Sequence, residues 1–228
     1  MRKTIFSWLG REFVSVSGEA RPQASVVEET NELFQRFERE LRESGLSLEN
    51  TVRTRIWAAD REARNLATVA RSKILTGRSK AASSSYIFAN HFDSGAKVAL
   101  DLLAMRPSRP GAERQIVEFE PPRNYLCHLR YDSVVFVSGF TSEADRLEDQ
   151  VPEVLAALDD ALKNASSSWA QVVKLSIFLS KTEKLDFLKA LLAKANALEL
   201  PKMQFAFVDG FSREPSLLEA EATALVNA

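Results

Sequence analysis

An internal repeat constrains this chain more than any other feature of its sequence. Residues 13–18 match residues 134–139, and residues 50–57 match residues 171–178, in both cases at an offset of 121. Apolar positions between these segments recur at the same offset, as in the pairs Leu33/Val154, Phe37/Leu158, Leu41/Leu162 and Leu66/Phe187. A single offset that holds over several predicted elements indicates two copies of one domain.

The repeat divides the chain into two domains and a connector. The closing segment 98–104 matches residues 218–224 at an offset of 120, which requires only a one-residue deletion in a loop. We therefore predict a first domain over residues 1–105 and a second domain over residues 123–228. Residues 106–122 hold four of the 8 prolines, and this enrichment is typical of an extended linker.

Both copies show the same succession of hydrophobic patterns. Alternating β-branched and aromatic residues predict two strands that end at Ser-Gly, and apolar residues spaced at i, i+4 and i+8 then predict a helix. An alternating strand, a second helix and two closing strands follow. In the first copy we expect the second helix to carry Leu66, Val69, Ala70, Lys73 and Ile74 on one side. The order ββαβαββ predicts an α+β domain with its helices on one face of a mixed sheet.

The composition excludes several classes of protein. A hydrophobic content of 45% and a charged content of 27% exclude disordered and collagen-like chains. The single cysteine, Cys127, excludes an intrachain disulfide and fits a reducing compartment. No apolar run approaches the roughly 18 residues of a membrane helix. We therefore expect a cytoplasmic protein that does not bind membranes.

The sequence offers no usual cofactor or metal motif. Its 2 histidines and 1 cysteine lack the spacing of a zinc site. No glycine-rich phosphate loop or dinucleotide fingerprint is present. Cys127 and His128 are adjacent on a predicted strand, so they point to opposite faces and cannot form a catalytic dyad. We expect neither a metal nor a cofactor.

The ordered motifs resemble the Rid family, the reactive intermediate deaminases that are also called YjgF-like or endoribonuclease L-PSP-like proteins. The motifs are Val-Ser-Gly after a strand, Glu29 or Gln150 at the start of the first helix, and the strand that ends in Ile-Trp or Ile-Phe. The closing Leu218–Ala224 segment, Leu-Glu-Ala-Glu-Ala-Thr-Ala, is also similar to the family pattern. The second copy matches this pattern better than the first.

The resemblance implies a fold, an assembly and a chemistry. The fold is a tandem pair of chorismate-mutase-like domains, and single domains of this kind form trimers with ligand clefts between neighbours. Active family members hydrolyse imines or enamines and release ammonia. This chemistry requires a cation for the substrate carboxylate and a group that moves a proton. For a tandem chain we expect a homo-oligomer, a trimer of chains, that binds a small carboxylate.

Carried over position by position, the family site falls mainly on the second copy. The proton-transfer residue is Glu219, and Tyr125 and Gly139 match the family's binding residues. The family's carboxylate-binding arginine is missing, because its position is Met203 in the second copy and Ala82 in the first. The substrate-binding candidates are Tyr125, Gly139, Phe140, Met203, Phe205 and Arg213, with Arg213 or Arg123 as a replacement cation.

Three functions remain open on these residues. The first is an imine or enamine hydrolase with an altered pocket. The second is a non-catalytic binding or assembly module, which the missing arginine favours. The third is a chorismatase-like hydrolase, because tandem Rid-like domains occur in such enzymes and these use a glutamate near the C-terminus. Without paired histidines or an aromatic and basic stripe, we do not expect nucleic-acid binding.

Overall fold

The computed structural model describes residues 1–89, 92–195 and 203–226, which form two α+β domains. The elements of the first copy are β1 (Arg2–Trp8), β2 (Arg11–Glu19), α1 (Val26–Glu43), β3 (Thr51–Ala58), α2 (Arg61–Ile74), β4 (Ala82–Ile87) and β5 (Val98–Met105). Those of the second part are β6 (Arg114–Glu118), β7 (Leu126–Tyr131), β8 (Val134–Val137), α3 (Leu147–Asn164), β9 (Val172–Ser180), α4 (Leu185–Ala195), β10 (Met203–Val208) and β11 (Leu218–Leu225). The predicted ββαβαββ order is confirmed in both copies.

Each domain has one mixed sheet. The strand order is β1-β2-β5-β3-β4 in the first sheet and β10-β9-β11-β8-β7-β6 in the second. The pairs β3/β4 and β9/β10 are parallel, whereas the other pairs are antiparallel. Strand β6 comes from the proline-rich segment and pairs with β7, so part of the expected linker is an edge strand of the second sheet.

The two helices of the first domain use different packing surfaces. In α1 the predicted residues Leu33, Phe37 and Leu41 are fully buried, and the Ser25 hydroxyl caps the helix by accepting from the amide of Glu28. The expected side of α2 is only partly right, because Ala70 is buried and Ile74 packs against the core, whereas Leu66 and Val69 are exposed. This helix buries Ala63, Ala67, Ala70 and Arg71. Small residues let α2 approach its sheet closely and leave room for the long Arg71 side chain.

The helix-free faces of the two sheets pack against each other. One apolar cluster at this interface contains Phe13, Met105, Leu129, Val134 and Phe136. A second cluster contains Tyr86, Phe178, Val208 and Phe211.

Between the two clusters lies a charged layer. Here Glu221 of the second domain binds Arg53 and Arg55 of the first. The interface therefore has an apolar region on each side of one buried ionic group.

Strand β4 forms the border between the domains. The amide of Gly139 donates to the carbonyl of Ser83 at 3.2 Å, and the amide of Ser83 donates to the hydroxyl of Ser138 at 3.0 Å. Further along, the amide of Ile87 donates to the carbonyl of Gly210 at 2.9 Å. Hydrogen bonds at both ends thus fix β4 against the second domain. None of the helices formed by the described residues is long and apolar enough to cross a membrane.

Candidate functional site

A cavity of about 220 Å³ lies between the domains at the border strand. The first domain lines it with Arg71, Lys80 and Ser83, and the second part of the chain contributes Arg123 and Tyr125. Neither domain alone contains this set of side chains. The cavity therefore depends on how the two copies pack together.

Glu219 lies on β11 beside this border, and the backbone at Gly139 leaves space for its carboxyl group. A Cβ atom at Gly139 would lie 1.9 Å from Oε1 of Glu219 and 2.5 Å from Cδ, so only glycine permits this approach. A pair of hydrogen bonds joins Phe140 to Ala220, the residue after Glu219, at 2.9 and 3.0 Å. This bridge fixes the backbones of both neighbours and brings the acid onto the glycine.

The surroundings of Glu219 favour its protonated form. The residue is 4% exposed, and its Oε1 atom has no hydrogen-bond partner among the described residues. Burial and the charge of Glu221 raise the pKa of Glu219, whereas Tyr86, Arg64 and Arg71 lower it, and the resulting pKa is about 8. Glu219 therefore carries a proton at neutral pH and can act as a general acid.

Two arginines of α2 face the same region from the first domain. Arg71 is 3% exposed, and its Nη1 donates to the carbonyl of Ser84 at 2.9 Å, its one hydrogen bond to the described residues. Burial and the neighbouring charge of Arg64 lower the pKa of Arg71 to about 9. A buried cation with free N–H groups at a cavity wall is suited to bind an anion. Arg64 is half-buried and donates to the hydroxyl of Ser85 at 2.9 Å.

Glu221, two residues after Glu219 on the same strand, has the opposite protonation state. Its Oε2 lies 2.7 Å from Nη1 of Arg53, and its Oε1 accepts from Nε of Arg55 at 2.9 Å. Burial alone would raise the pKa of Glu221, but Arg53 and Arg55 hold it at about 2. Two carboxyl groups with such different environments indicate separate roles, a fixed charge at Glu221 and a proton donor at Glu219.

Aromatic and basic side chains from the connector region lie at one side of the cavity. The ring of Phe119 contacts Tyr125 and Phe140 edge-on, with centroid distances of 5.2 and 5.6 Å. The Arg123 guanidinium lies 4.4 Å from the centroid of Phe119, and its Nη1 donates to the Tyr125 hydroxyl at 3.0 Å. The Tyr125 hydroxyl in turn lies close enough to Arg71 to raise its pKa. Tyr125 thus connects this group of rings with the buried cation.

The structure brings some of the predicted residues together and separates others. Glu219, Gly139 and Phe140 form one group, and Tyr125 lines the adjoining cavity. Met203 and Phe205 instead pack on the core of the second domain. Arg213 is exposed and pairs with Glu143 in a separate surface groove.

The first domain lines one side of the interdomain cavity, which explains why only some of the predicted residues lie near it. The family resemblance named Met203 and Phe205, which belong to the same copy as Glu219, as binding residues and left open which copies form the cleft. In the structure, Gly139, which lies against Glu219, donates to Ser83 of β4, and Tyr86 of the same strand lowers the pKa of Glu219. The first domain therefore supplies the wall opposite Glu219. Arg64, Arg71 and Tyr86 were missed for the same reason.

A signal for the two arginines does exist in the repeat. At an offset of 121, Arg64 corresponds to Leu185 and Arg71 to Leu192. Both leucines pack in the core of the second domain. An arginine at two core positions of one copy is unusual for a structural helix, and this contrast could have drawn attention to α2.

The described residues contain no group of three histidine, cysteine, aspartate or glutamate side chains placed to hold a metal ion. His128 is fully buried, and burial lowers its pKa to about 4, so it stays neutral.

A solved structure shares this two-domain fold, and shorter ones align with half of the chain. A chorismatase aligns with a TM-score of 0.69 and 15% identity, over 96% of this chain and 78% of that one. A member of the YjgF/YER057c/UK114 family from Mycobacterium tuberculosis covers 50% of this chain with all of its own length, at 25% identity and a TM-score of 0.45. A Rid family protein from Yersinia pestis covers the same share at 19% identity and a TM-score of 0.45. No family model and no curated protein matches the chain.

Proposed function

We propose that this chain is a small-molecule hydrolase that protonates a carboxylate-bearing enamine or enol ether in the interdomain cavity. The observation that carries this proposal is a buried, protonated Glu219 near a buried, incompletely paired Arg71. An acid and a carboxylate-binding cation are the two groups that such a reaction requires. No cofactor is needed for the reaction.

The reaction balances with water as the only co-substrate. Glu219 gives its proton to the terminal carbon of the C=C–N or C=C–O unit, and the adjacent carbon becomes an iminium or oxocarbenium centre. Water adds to that carbon, and the Glu219 carboxylate takes back one proton. The adduct collapses to a keto acid and releases ammonia, an amine or an alcohol. Glu219 ends protonated, as it began.

Arg71 supports this proposal by taking over the task of the missing family arginine. The family position falls on Ala82 or Met203, neither of which carries a charge. Arg71 approaches the same cavity from α2 rather than from the strand. We propose that its free N–H groups bind the substrate carboxylate, with Arg123 and Tyr125 at the opposite wall.

The enol ether is included because the likeness that spans nearly the whole chain is to a chorismatase. Chorismate carries an enolpyruvyl ether, so its hydrolysis would release pyruvate by the scheme above. A simple enamine would release ammonia instead. The two products distinguish the two substrate classes in a single set of assays.

The experiment compares wild type with Glu219→Gln and with the exposed control Glu62→Gln. Chorismate is tested for pyruvate release, and imino acids formed in situ by an amino-acid oxidase are tested for ammonia release. We expect Glu219→Gln to lose about 10³-fold in kcat, within the range of general acid catalysis, and Glu62→Gln to match wild type. Activity should also fall above pH 8 as Glu219 ionises.

The outcomes separate the alternatives. Activity that survives in Glu219→Gln contradicts the proposal. No turnover of either substrate class by wild type, combined with binding of a keto acid that Arg71→Met abolishes, would support the non-catalytic module instead.

For the assembly we propose a trimer of chains in the cytoplasm. Exposed apolar side chains on β1, Ile5 and Phe6, support a contact between chains at this edge of the first sheet. The single, half-buried Cys127 supports a reducing compartment. A solution mass of one chain, 25.4 kDa, would contradict the trimer.

A further inference from the structure

Tyr86 lies in the second apolar cluster of the domain interface and has no role in the scheme above. Its side chain is fully buried on β4. The ring stacks on Phe178 with a centroid distance of 4.0 Å, and Trp57 and Phe211 lie at 5.2 and 6.2 Å. Aromatic contacts on several sides therefore fix the position of the Tyr86 hydroxyl.

The Tyr86 hydroxyl and the Oε1 atom of Glu219 share an unusual property. Each is a buried polar atom without a hydrogen-bond partner among the described residues. Buried polar groups are nearly always paired, because an unpaired group loses its hydration without compensation. The hydroxyl is close enough to Glu219 to affect its pKa. The two groups thus lack partners in the same buried region.

The sheet register reveals that this pair is divided between the two copies. In the first domain, Trp57 lies opposite Tyr86 on one side and Ala99 on the other. In the second domain, the matching residue Phe178 lies opposite Ala206 and Glu219. The first copy therefore has the hydroxyl and lacks the acid, whereas the second has the acid and lacks the hydroxyl.

The contact between Tyr86 and Phe178 brings these two rows of residues face to face. As a result, the Tyr86 hydroxyl of the first domain lies near the Glu219 carboxyl group of the second. The residue that corresponds to Tyr86 in the second domain is Ala206, and the residue that corresponds to Glu219 in the first domain is Ala99. The hydroxyl and the carboxyl group therefore occur together only where β4 of the first domain packs against β11 of the second.

We propose that the Tyr86 hydroxyl donates a hydrogen bond to the Glu219 carboxyl group in the working protein and acts as its positioning residue. This inference rests on the proposed role of Glu219 as the acid. A hydrogen bond to one carboxyl oxygen leaves the proton on the other oxygen, which fixes the direction of proton transfer. The same bond stabilises the carboxylate that remains after transfer, while the tyrosine keeps its own proton.

The first test follows Glu219 directly and needs no substrate. Carboxyl ¹³C NMR measures the titration midpoint of Glu219 in wild type, Tyr86→Phe and the control Tyr131→Phe. Tyr131 is also a buried interface tyrosine, but its hydroxyl accepts from Asn50 at 3.4 Å. We expect the midpoint to rise by about one pH unit in Tyr86→Phe, because a hydrogen bond to the charged form is lost. Tyr131→Phe should match wild type, and an unchanged midpoint in Tyr86→Phe overturns the proposal.

The kinetic readout separates positioning from binding. Tyr86→Phe should lower kcat by about tenfold, leave KM within twofold, and move the alkaline limb of the pH profile upward. A merely structural role would not move that limb. If Glu219→Gln is inactive and Tyr86→Phe behaves as wild type, the proposed function stands and this inference fails. If no substrate turns over, the NMR midpoint still decides the inference.

A second measurement covers the case in which Tyr86→Phe fails to fold. The chain has 3 tyrosines, so 3-fluorotyrosine in a Tyr125→Phe/Tyr131→Phe background labels Tyr86 alone. Its ¹⁹F resonance should titrate with the midpoint of Glu219, and Glu219→Gln should abolish this titration. A ¹⁹F chemical shift that does not change when Glu219 ionises would contradict the proposed hydrogen bond.

Discussion

The two domains follow the same chain path but contribute different groups to the candidate site. The first supplies cations and a hydroxyl from α2 and β4, and the second supplies the acid and the glycine on which it rests. Where the first domain has Arg71 and Tyr86, the second has Leu192 and Ala206. Where the second has Glu219, the first has Ala99. Duplication therefore permits each copy to lose the groups that its neighbour retains, provided that one cleft stays complete.

The difference extends to the packing of the second helices. The helix α4 buries Leu188 and Leu192 in an ordinary apolar core. The helix α2 buries alanines and Arg71 in the matching places. The first domain has thus replaced part of a core face with a surface that serves the interdomain cavity, and such replacements commonly cost stability.

The largest expected effect compares the two repeat glycines, Gly139 and Gly18. In Gly139→Ala the new Cβ would overlap the Glu219 carboxyl group, whereas in Gly18→Ala it would meet Cα of Met1 at 3.1 Å. We expect Gly139→Ala to reduce kcat by about 10³-fold, because the acid must move away from its position. Gly18→Ala should retain activity, as measured by steady-state kinetics on both variants. Equal losses would show that the two glycines do not differ in role.

The next effect is the loss of folding stability that the ionisation of buried Glu219 causes. Because the folded pKa of Glu219 is raised to about 8 from 4.5, its contribution to stability is full below pH 4.5 and is lost as the pH rises to 8. Glu219→Gln should remove this loss and gain about 3 kcal/mol over wild type at pH 8. Thermal unfolding of both proteins between pH 4.5 and 8.5 measures the difference. Parallel curves would mean that Glu219 ionises normally.

A smaller effect tests the cation from α2. Arg71→Met keeps an unbranched apolar stem and removes the charge. We therefore expect KM to rise by about thirtyfold while kcat changes little, which matches the loss of one charge-assisted contact of about 2 kcal/mol. The matched change Arg78→Met alters an exposed arginine near the cavity and should have no effect. A loss confined to kcat would assign Arg71 to the chemistry rather than to binding.

The smallest effect distinguishes the first hairpins of the two copies. His128 on β7 is buried, and burial lowers its pKa to about 4 from 6.5. The unfolded chain therefore gains a proton first as the pH falls, and stability is lost between pH 6.5 and 4. Between pH 6.5 and 4 the free energy of unfolding of His128→Leu should fall by about 2 kcal/mol less than that of wild type. Urea unfolding at several pH values measures the difference. By sheet register the first copy has Lys3 at this position, which pairs with Glu40 and Glu43 at the surface.

The repeat alone predicted the fold because apolar spacing is preserved in both copies. The offset of 121 does not relate the first strands of the two copies, β1 and β7. Phe6 lies opposite Phe13, whereas Tyr131 lies opposite Val134, so the strand before Ser-Gly is displaced by four residues between the copies. Thr4, which an offset of 121 would match to Tyr125, therefore does not occupy the equivalent place in the first sheet.

The site was only half predictable, for a reason that is also physical. Glu219 and Gly139 belong to one copy and were found together by their place in the repeat. Their partners Arg71 and Tyr86 approach through tertiary packing, at sequence separations that no local pattern encodes. Leu66 and Val69 were expected on the same side of α2 as Ala70, but they are exposed because the helix packs through Ala63, Ala67, Ala70 and Arg71 instead.

The charged layer of Glu221, Arg53 and Arg55 has a consequence for how the chain folds. Each domain has its own core on the helix side, so each can collapse before the domains dock. The two apolar clusters that flank the layer would tolerate several relative alignments. A docked chain in any other alignment would bury these charges unpaired, at a cost of several kcal/mol. Misaligned docked states should therefore dissociate quickly, and only the alignment in which Glu221 pairs with both arginines should be stable.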